Sequence, residues 1–184
     1  MKIKLSQDEV SQTFNLKKLL GYDPSEDQKE LFYALAVDKM VQRTVEGKDI
    51  NGKKMGSYAP YSPDYAKLKG VSRSSVDMVL NGDMLDSFED SNEGKGILKI
   101  SIKDGVETEK AYNHNVGDTL PKRPWFGFKS EKDIKDILIE VDDLKDDTEK
   151  ESGSRVKSAF GDLAELRAAI NKLTLEVDNG EGDS

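Results

Sequence analysis

A chain of 184 residues, 35% hydrophobic and 35% charged, is long enough for one domain plus an appendage. It has little apolar surplus, so some segments are expected to lean on partner subunits. The net charge of −8, from 36 acidic and 28 basic residues, argues against a protein that reads DNA by gripping phosphates, though not against a surface that DNA slides past. The lack of cysteine excludes disulfides, thiolate zinc sites and cysteine nucleophiles, and fits a reducing interior.

No apolar run approaches the roughly 20 residues of a membrane span. Met1 to Leu5 leads straight into the polar Ser6 to Glu9, with no signal-peptide hydrophobic segment. The expectation is a soluble protein made in the cytoplasm, with no membrane contact.

Lys2 to Leu5 alternates polar and apolar residues and reads as a short strand. Ser6 with Glu9 forms a capping-box pattern, so Val10, Phe14, Leu16, Leu19 and Leu20 are read as a short helix or ordered arm ending at Gly21. Ser25 and Gln28 make a second capping box and open the main helix, Glu26 to Glu46. Tyr33, Val37, Met40, Val41 and Thr44 recur on one face, widened by Leu31, Phe32, Leu35 and Ala36. An arc that wide implies contact on two sides, such as a sheet and a neighbouring subunit.

Lys48 to Pro63 reads as a loop stiffened by Pro60 and Pro63, ordered by a partner surface. Ser62 and Pro63 then suit the cap and first residue of a short helix to Lys69, closed by Gly70. Met84, Leu85 and Phe88 have the spacing of another small helix. Ile97 to Lys103 is a predicted strand, with Asp104-Gly105 as the hairpin turn into a partner starting at Val106–Thr108. Glu109 to Asn115 is a short predicted helix.

Pro121 to Phe128 is read as extended, an edge strand or strand end because Pro124 has no N–H. Ser130 caps a helix with Ile134, Ile137, Leu138, Val141 and Leu144 on one face. Lys145 to Ser154 reads as a charged hinge. Val156, Phe160, Leu163, Leu166, Ile170, Leu173 and Val177 form a narrow coiled-coil-like seam, followed by an acidic tail. The fold class is therefore α+β, a small antiparallel sheet packed with two main helices, plus a C-terminal extension helix. Residues 1–150 form the domain and 151–184 the extension.

No catalytic, metal or cofactor site emerges. His114 is the only histidine and has no cysteine partner, so it reads as structural or solvent-facing. Asp142-Asp143 and Asp146-Asp147 read as solvated faces, Asp49 to Lys53 is too short for a calcium loop, and Gly94 to Gly96 is a turn. The segment Pro121 to Phe128 instead delivers Arg123, Trp125, Phe126 and Phe128 to one place. In a strand, Trp125 would face one way and Phe126 and Phe128 the other, one side packing into the core and the other meeting a partner. The expected interface set adds Tyr58 and Tyr61 from the stiff loop, and Phe160, Leu163, Ile170 and Leu173 from the seam.

Five stretches carry a resemblance: Arg43-Thr44-Val45-Glu46-Gly47 with Asp49 and Gly52; Pro60 to Lys69; Leu80 to Ser87; Ala111 to Gly117; and Pro121 to Gly127. In this order they resemble the neck and tail-completion (virion morphogenesis) proteins of tailed bacteriophages, over about Val37 to Leu138. The third departs from the usual pattern, having Asn81 where the family has threonine or a similar residue before the glycine. The resemblance implies a non-enzymatic α+β subunit of the virion, assembled in the host cytoplasm into a ring at the head-to-tail junction. The ring is most often a hexamer, with a dodecamer as the other possibility. Implied partners are portal- or adaptor-side connector proteins and the tail terminator or tail tube, with DNA passing through without sequence-specific binding. The segment after Gly153 lies outside the resemblance. Alternatives from other classes are an acidic hydrolase with a carboxylate pair and a regulatory protein-binding module.

Overall fold

The computed structural model describes residues 2–78, 83–103 and 105–150. Four strands, β1 (Lys2–Leu5), β2 (Val10–Asn15), β3 (Phe88–Gly94) and β4 (Ile97–Ile102), form one antiparallel sheet in the order β1-β2-β4-β3. Side chains alternate across its two faces. Val10, Gln12 and Phe14 of β2 and Leu98, Ile100 and Ile102 of β4 are buried on one face. The other face carries the polar row Lys4, Ser11, Ser101 and Glu89, which the register places side by side.

Two turns set this sheet; the first differs from the sequence reading, and the second is the turn read at Gly94 to Gly96, which proves to join two strands. Ser6 and Glu9 close a hairpin between β1 and β2 by exchanging backbone hydrogen bonds of 2.8 and 3.3 Å, rather than capping a helix. The short helix or ordered arm expected over Val10 to Leu20 is a strand followed by one short helix, α1 (Leu16–Leu20), capped by the Asn15 side chain. Buried Gln12 hides the two-residue period, because glutamine reads as surface. The partner of β4 likewise precedes it. Lys95 and Gly96, both with positive φ, make the two-residue turn between β3 and β4. Gly105 instead precedes a helix, α5 (Val106–Val116), where a second strand was expected. Phe88 begins β3 rather than ending a small helix; the helix there is the single turn α4 (Asp83–Asp86).

The main helix, α2 (Glu26–Val45), has the reciprocal Ser25–Gln28 cap, with Glu26 and Asp27 in its first turn. Phe32, Ala36, Val37, Met40 and Thr44 are buried on it, while Leu31, Tyr33, Leu35 and Val41 pack partly against the same core cluster. Phe32 meets Phe14 of β2 edge-on with ring centroids 5.2 Å apart, which joins the helix to the sheet. The short helix α3 (Pro63–Lys69) has the Ser62 cap, proline at its start and left-handed Gly70 at its end. The helix α6 (Glu131–Lys150) is capped by Ser130 and buries Ile134, Ile137, Leu138 and Val141. It continues through Lys150, where a hinge was expected from Lys145. Helix-forming acids and lysines fill that stretch, and the first glycine comes only at Gly153.

Two compact units divide after Val141, and only the first turns of the second fall among the described residues. The expected C-terminal helix, with Phe160, Leu163, Ile170 and Leu173, lies outside them.

The stretch from Lys48 to Tyr61 was expected to need a partner, but the chain orders it internally. Asp49 accepts the N–H groups of Asn51 and Lys53, Met55 is fully buried, and Ala59 N–H reaches the Met55 carbonyl at 2.8 Å. Gly56 lets this loop approach the backbone of the 71–76 segment; a Cβ at 56 would run into the carbonyl of Ser74. Gly56→Ala is therefore expected to lower stability by about 2–4 kcal/mol, read by urea denaturation. An unchanged midpoint would show that the two segments separate freely.

Candidate functional site

The segment from Arg123 to Phe128 is buried without belonging to any strand, which corrects the edge strand or strand end expected within Pro121 to Phe128. A buried backbone needs hydrogen-bond partners, and here other parts of the chain supply them one by one. Arg123 N–H donates to the His114 carbonyl at 2.6 Å, and Ile50 N–H donates to the Pro124 carbonyl at 2.7 Å. Asn115, on α5, turns its Oδ1 to the N–H groups of both Trp125 and Phe126 at 3.2 Å each. Arg43, in the last turn of α2, gives Nη2 to the carbonyls of Trp125 and of Gly127, the latter at 2.9 Å. Gln12 of β2 brackets Phe128, accepting from its N–H at 2.8 Å and donating to its carbonyl at 2.7 Å.

Gly127 breaks the alternation that a strand would impose. Its φ is +85°, and a Cβ there would lie 2.7 Å from Gln12 Oε1. In consequence Trp125, Phe126 and Phe128, expected to divide between a core face and an outward face, all point inward, at 0%, 1% and 3% exposure. Trp125 and Phe126 pack edge to face at 5.8 Å, and Phe88 stacks on Phe126 at 6.0 Å. Arg43 lies over the Phe128 ring at 5.6 Å. Burial pulls its guanidinium below the usual value, while the charges of Asp133 and Asp49 oppose that shift.

Tyr61 is a second centre. Its hydroxyl donates to Asp77 at 3.0 Å and accepts from Met78 N–H at 3.0 Å. Arg123, itself 3% exposed, lies over the Tyr61 ring at 5.1 Å and donates to the carbonyls of Ala59 at 2.8 Å and Pro60 at 3.1 Å. Of the expected interface residues, Tyr61 and Arg123 thus come together, but facing inward. Tyr58 stays 37% exposed and donates to Asp49 at 3.0 Å. Burial, then the Asp49 carboxylate, pushes its hydroxyl up to about 12. Burial alone would raise Asp49, but the N–H groups of Lys53 and Asn51, joined by Tyr58, bring it below the usual carboxylate range.

A cavity of about 620 Å³ opens beside this centre, lined by Tyr61, Tyr65, Met84, His114, Pro121 and Arg123 among others. Two acids, Asp83 and Glu107, reach its wall, and Glu107 is paired with Lys110 at 2.6 Å. The lone histidine, read as structural or solvent-facing, lies in this wall half-buried. Burial first, and then the charge of Arg123, lowers it to about 4, so it is neutral near pH 7. Among the described residues no group of three or more His, Cys, Asp or Glu side chains is arranged to hold a metal ion. Compared with known proteins, the chain matches no family model, no curated protein and no solved structure.

The residues that sequence reasoning missed are Gln12, Arg43 as a backbone clamp, and Asn115. Each is polar and looks like surface, and its role rests on a partner 10 to 116 positions away. Gln12→Leu is expected to cost about 2–4 kcal/mol, because it strands both polar groups of Phe128 without water. Trp125→Ala is expected to cost about 3–5 kcal/mol as a core truncation; chemical denaturation of the full chain measures both. His114 gives a pH signature. The unfolded chain takes up its proton near 6.5 and the folded chain only near 4, so stability is full above pH 6.5 and falls as pH drops toward 4. The expected loss is about 2–3 kcal/mol. Melting curves from pH 7 to 4.5 should slope less steeply for His114→Gln than for the parent chain; equal slopes would remove the histidine from the account.

Proposed function

We propose that this chain is a structural virion protein of a tailed bacteriophage, forming a ring at the head-to-tail junction that joins the tail to the connector and leaves a channel for DNA. The observation that carries the reading is where the resembling stretches lie. Arg43 from the first, Tyr61 from the second, and His114 and Asn115 from the fourth all touch the fifth, Pro121 to Gly127. Met84 from the third lines the cavity with Tyr61, His114 and Arg123. Stretches separated in sequence thus serve one packed centre, as expected of a family signature that maintains a subunit's shape.

The chemistry favours the same reading over a hydrolase. Arg43 Nη2, Asn115 Oδ1 and the Arg123 guanidinium are spent on backbone carbonyls and N–H groups, which gives these three side chains positioning roles. A carboxylate pair would need two acids converging on one reacting atom, whereas Glu107 in the cavity wall gives one oxygen to Lys110. The net charge of −8 suits a wall past which DNA moves without sticking. Connector proteins on the portal or adaptor side and the tail terminator or tail tube are the proposed partners. No helix among the described residues is long and apolar enough to cross a membrane.

Size-exclusion chromatography with light scattering, followed by negative-stain microscopy, tests the reading. The expected species is a ring about six times the 20.5 kDa of one chain, with a dodecamer as the other accepted outcome. Phage made without this chain are expected to accumulate heads and tails that do not join. A strictly monomeric chain, a one-to-one complex with a single host protein, or hydrolytic turnover that is lost on Glu107→Gln would each overturn it.

A further inference from the structure

We propose that the ring closes through the open edges of the sheet, β3 of one copy receiving β1 of the next, so that the sheet runs on from subunit to subunit. This rests on the ring reading and names its contact. Among the described residues β1 pairs only with β2, and β3 only with β4, so each end of the sheet presents a row of backbone groups with no described strand beside it. Strand direction alternates through the order β1-β2-β4-β3, so the first and last strands are antiparallel. A copy related by rotation about a ring axis therefore brings its β1 to β3 in the antiparallel sense, and the alternation continues across the join.

Charge selects this join over the symmetric ones. β1 reads KIKL, with two lysines and no acid. β3 reads FEDSNEG, with Glu89, Asp90 and Glu93 and no base. Charged edges commonly block strand addition, but a single sign on each edge blocks only β1 on β1 and β3 on β3. The unlike pairing is attractive. The faces agree as well. Lys4 and Glu89 end the same polar row, through Ser11 and Ser101. On the core face Leu5, 38% exposed, lies beside Val10 at one edge, and half-buried Phe88 lies beside Ile102 at the other. The join places Leu5 against Phe88 below and Lys4 against Glu89 above, with Ile3 meeting Asp90 at the next position on the lower face. Lys4 pairs with Glu9 in the single subunit. Glu9, held down to about 2 by Lys4, Lys99 and Ser11, keeps Lys99 at 2.9 Å when Lys4 turns to the neighbour.

Sedimentation velocity on the full chain at low salt tests the join with Lys4→Glu, Glu89→Lys and the two combined. Each single reversal is expected to weaken association by about tenfold or more, and the combination to return it to within a few-fold of the parent. Asp90→Lys reads the acidic edge independently, should the loss of the Lys4–Glu9 pair unsettle the fold. Hydrogen exchange on the unmodified assembly needs no variant: β1 and β3 amides are expected to slow on assembly. Rings that form with unslowed edges, or that ignore both reversals, overturn the edge join and leave the ring reading standing. A parent chain that is monomeric at every concentration removes both.

Discussion

The rest of the fold depends on keeping six residues of irregular backbone dry. Arg123 to Phe128 lies in the interior with neither helix nor strand to satisfy its N–H and C=O groups, and each group left bare there would cost as much as a good hydrogen bond provides. The chain answers from three directions: Gln12 from the sheet, Arg43 from the end of α2, and Asn115 from α5. Because each is anchored in a different element, the segment knits sheet and helices into one core. The aromatic rings it carries then fill the space so enclosed. The hydrogen bonds and the rings are complementary: without the clamps Trp125 could not be placed, and without the rings the clamps would be open to water.

How much of this was legible depended on whether the deciding residue looks like what it does. The start of α2 was readable because Ser25 and Gln28 act on their own neighbours, and the same holds for Ser62 with Pro63 and for Ser130. The apolar face of α6 was readable because Ile134, Ile137, Leu138 and Val141 recur at steps of three and four. β2 was not, since Gln12 interrupts its apolar alternation and its reason for being buried lies 116 residues away. β3 was not either. FEDSNEG has neither the β-branched residues nor the alternation of a strand, and its place in the sheet comes from the turn at Lys95-Gly96 and from β4 beside it. The stretch before Phe128 was read as a strand end with one face for the core and one for a partner, because proline and aromatic content are shared by edge strands and by buried irregular segments.

The inward placement of the aromatic segment also moves attention for assembly elsewhere. Its rings are spoken for by the subunit's own interior, and Arg123 is enclosed between Tyr61 and two loop carbonyls. What is kept outward among the described residues is of another kind: strand edges of opposite charge with no described strand beside them, and scattered apolar side chains such as Leu68, Val106 and Ile139. The centre serves the shape of the chain itself, and the proposed contact between copies falls on its rims.

The tight approach of residues 12 and 127 has a consequence for how such a chain can drift. A side chain at position 127 would meet both Gln12 and Ile3, and the positive φ would strain it whatever space were cleared. A shorter residue 12 therefore gains nothing at 127 and abandons both polar groups of Phe128. Glycine at 127 and glutamine at 12 are each held in place by their own constraint, so distant descendants of this sequence should keep both.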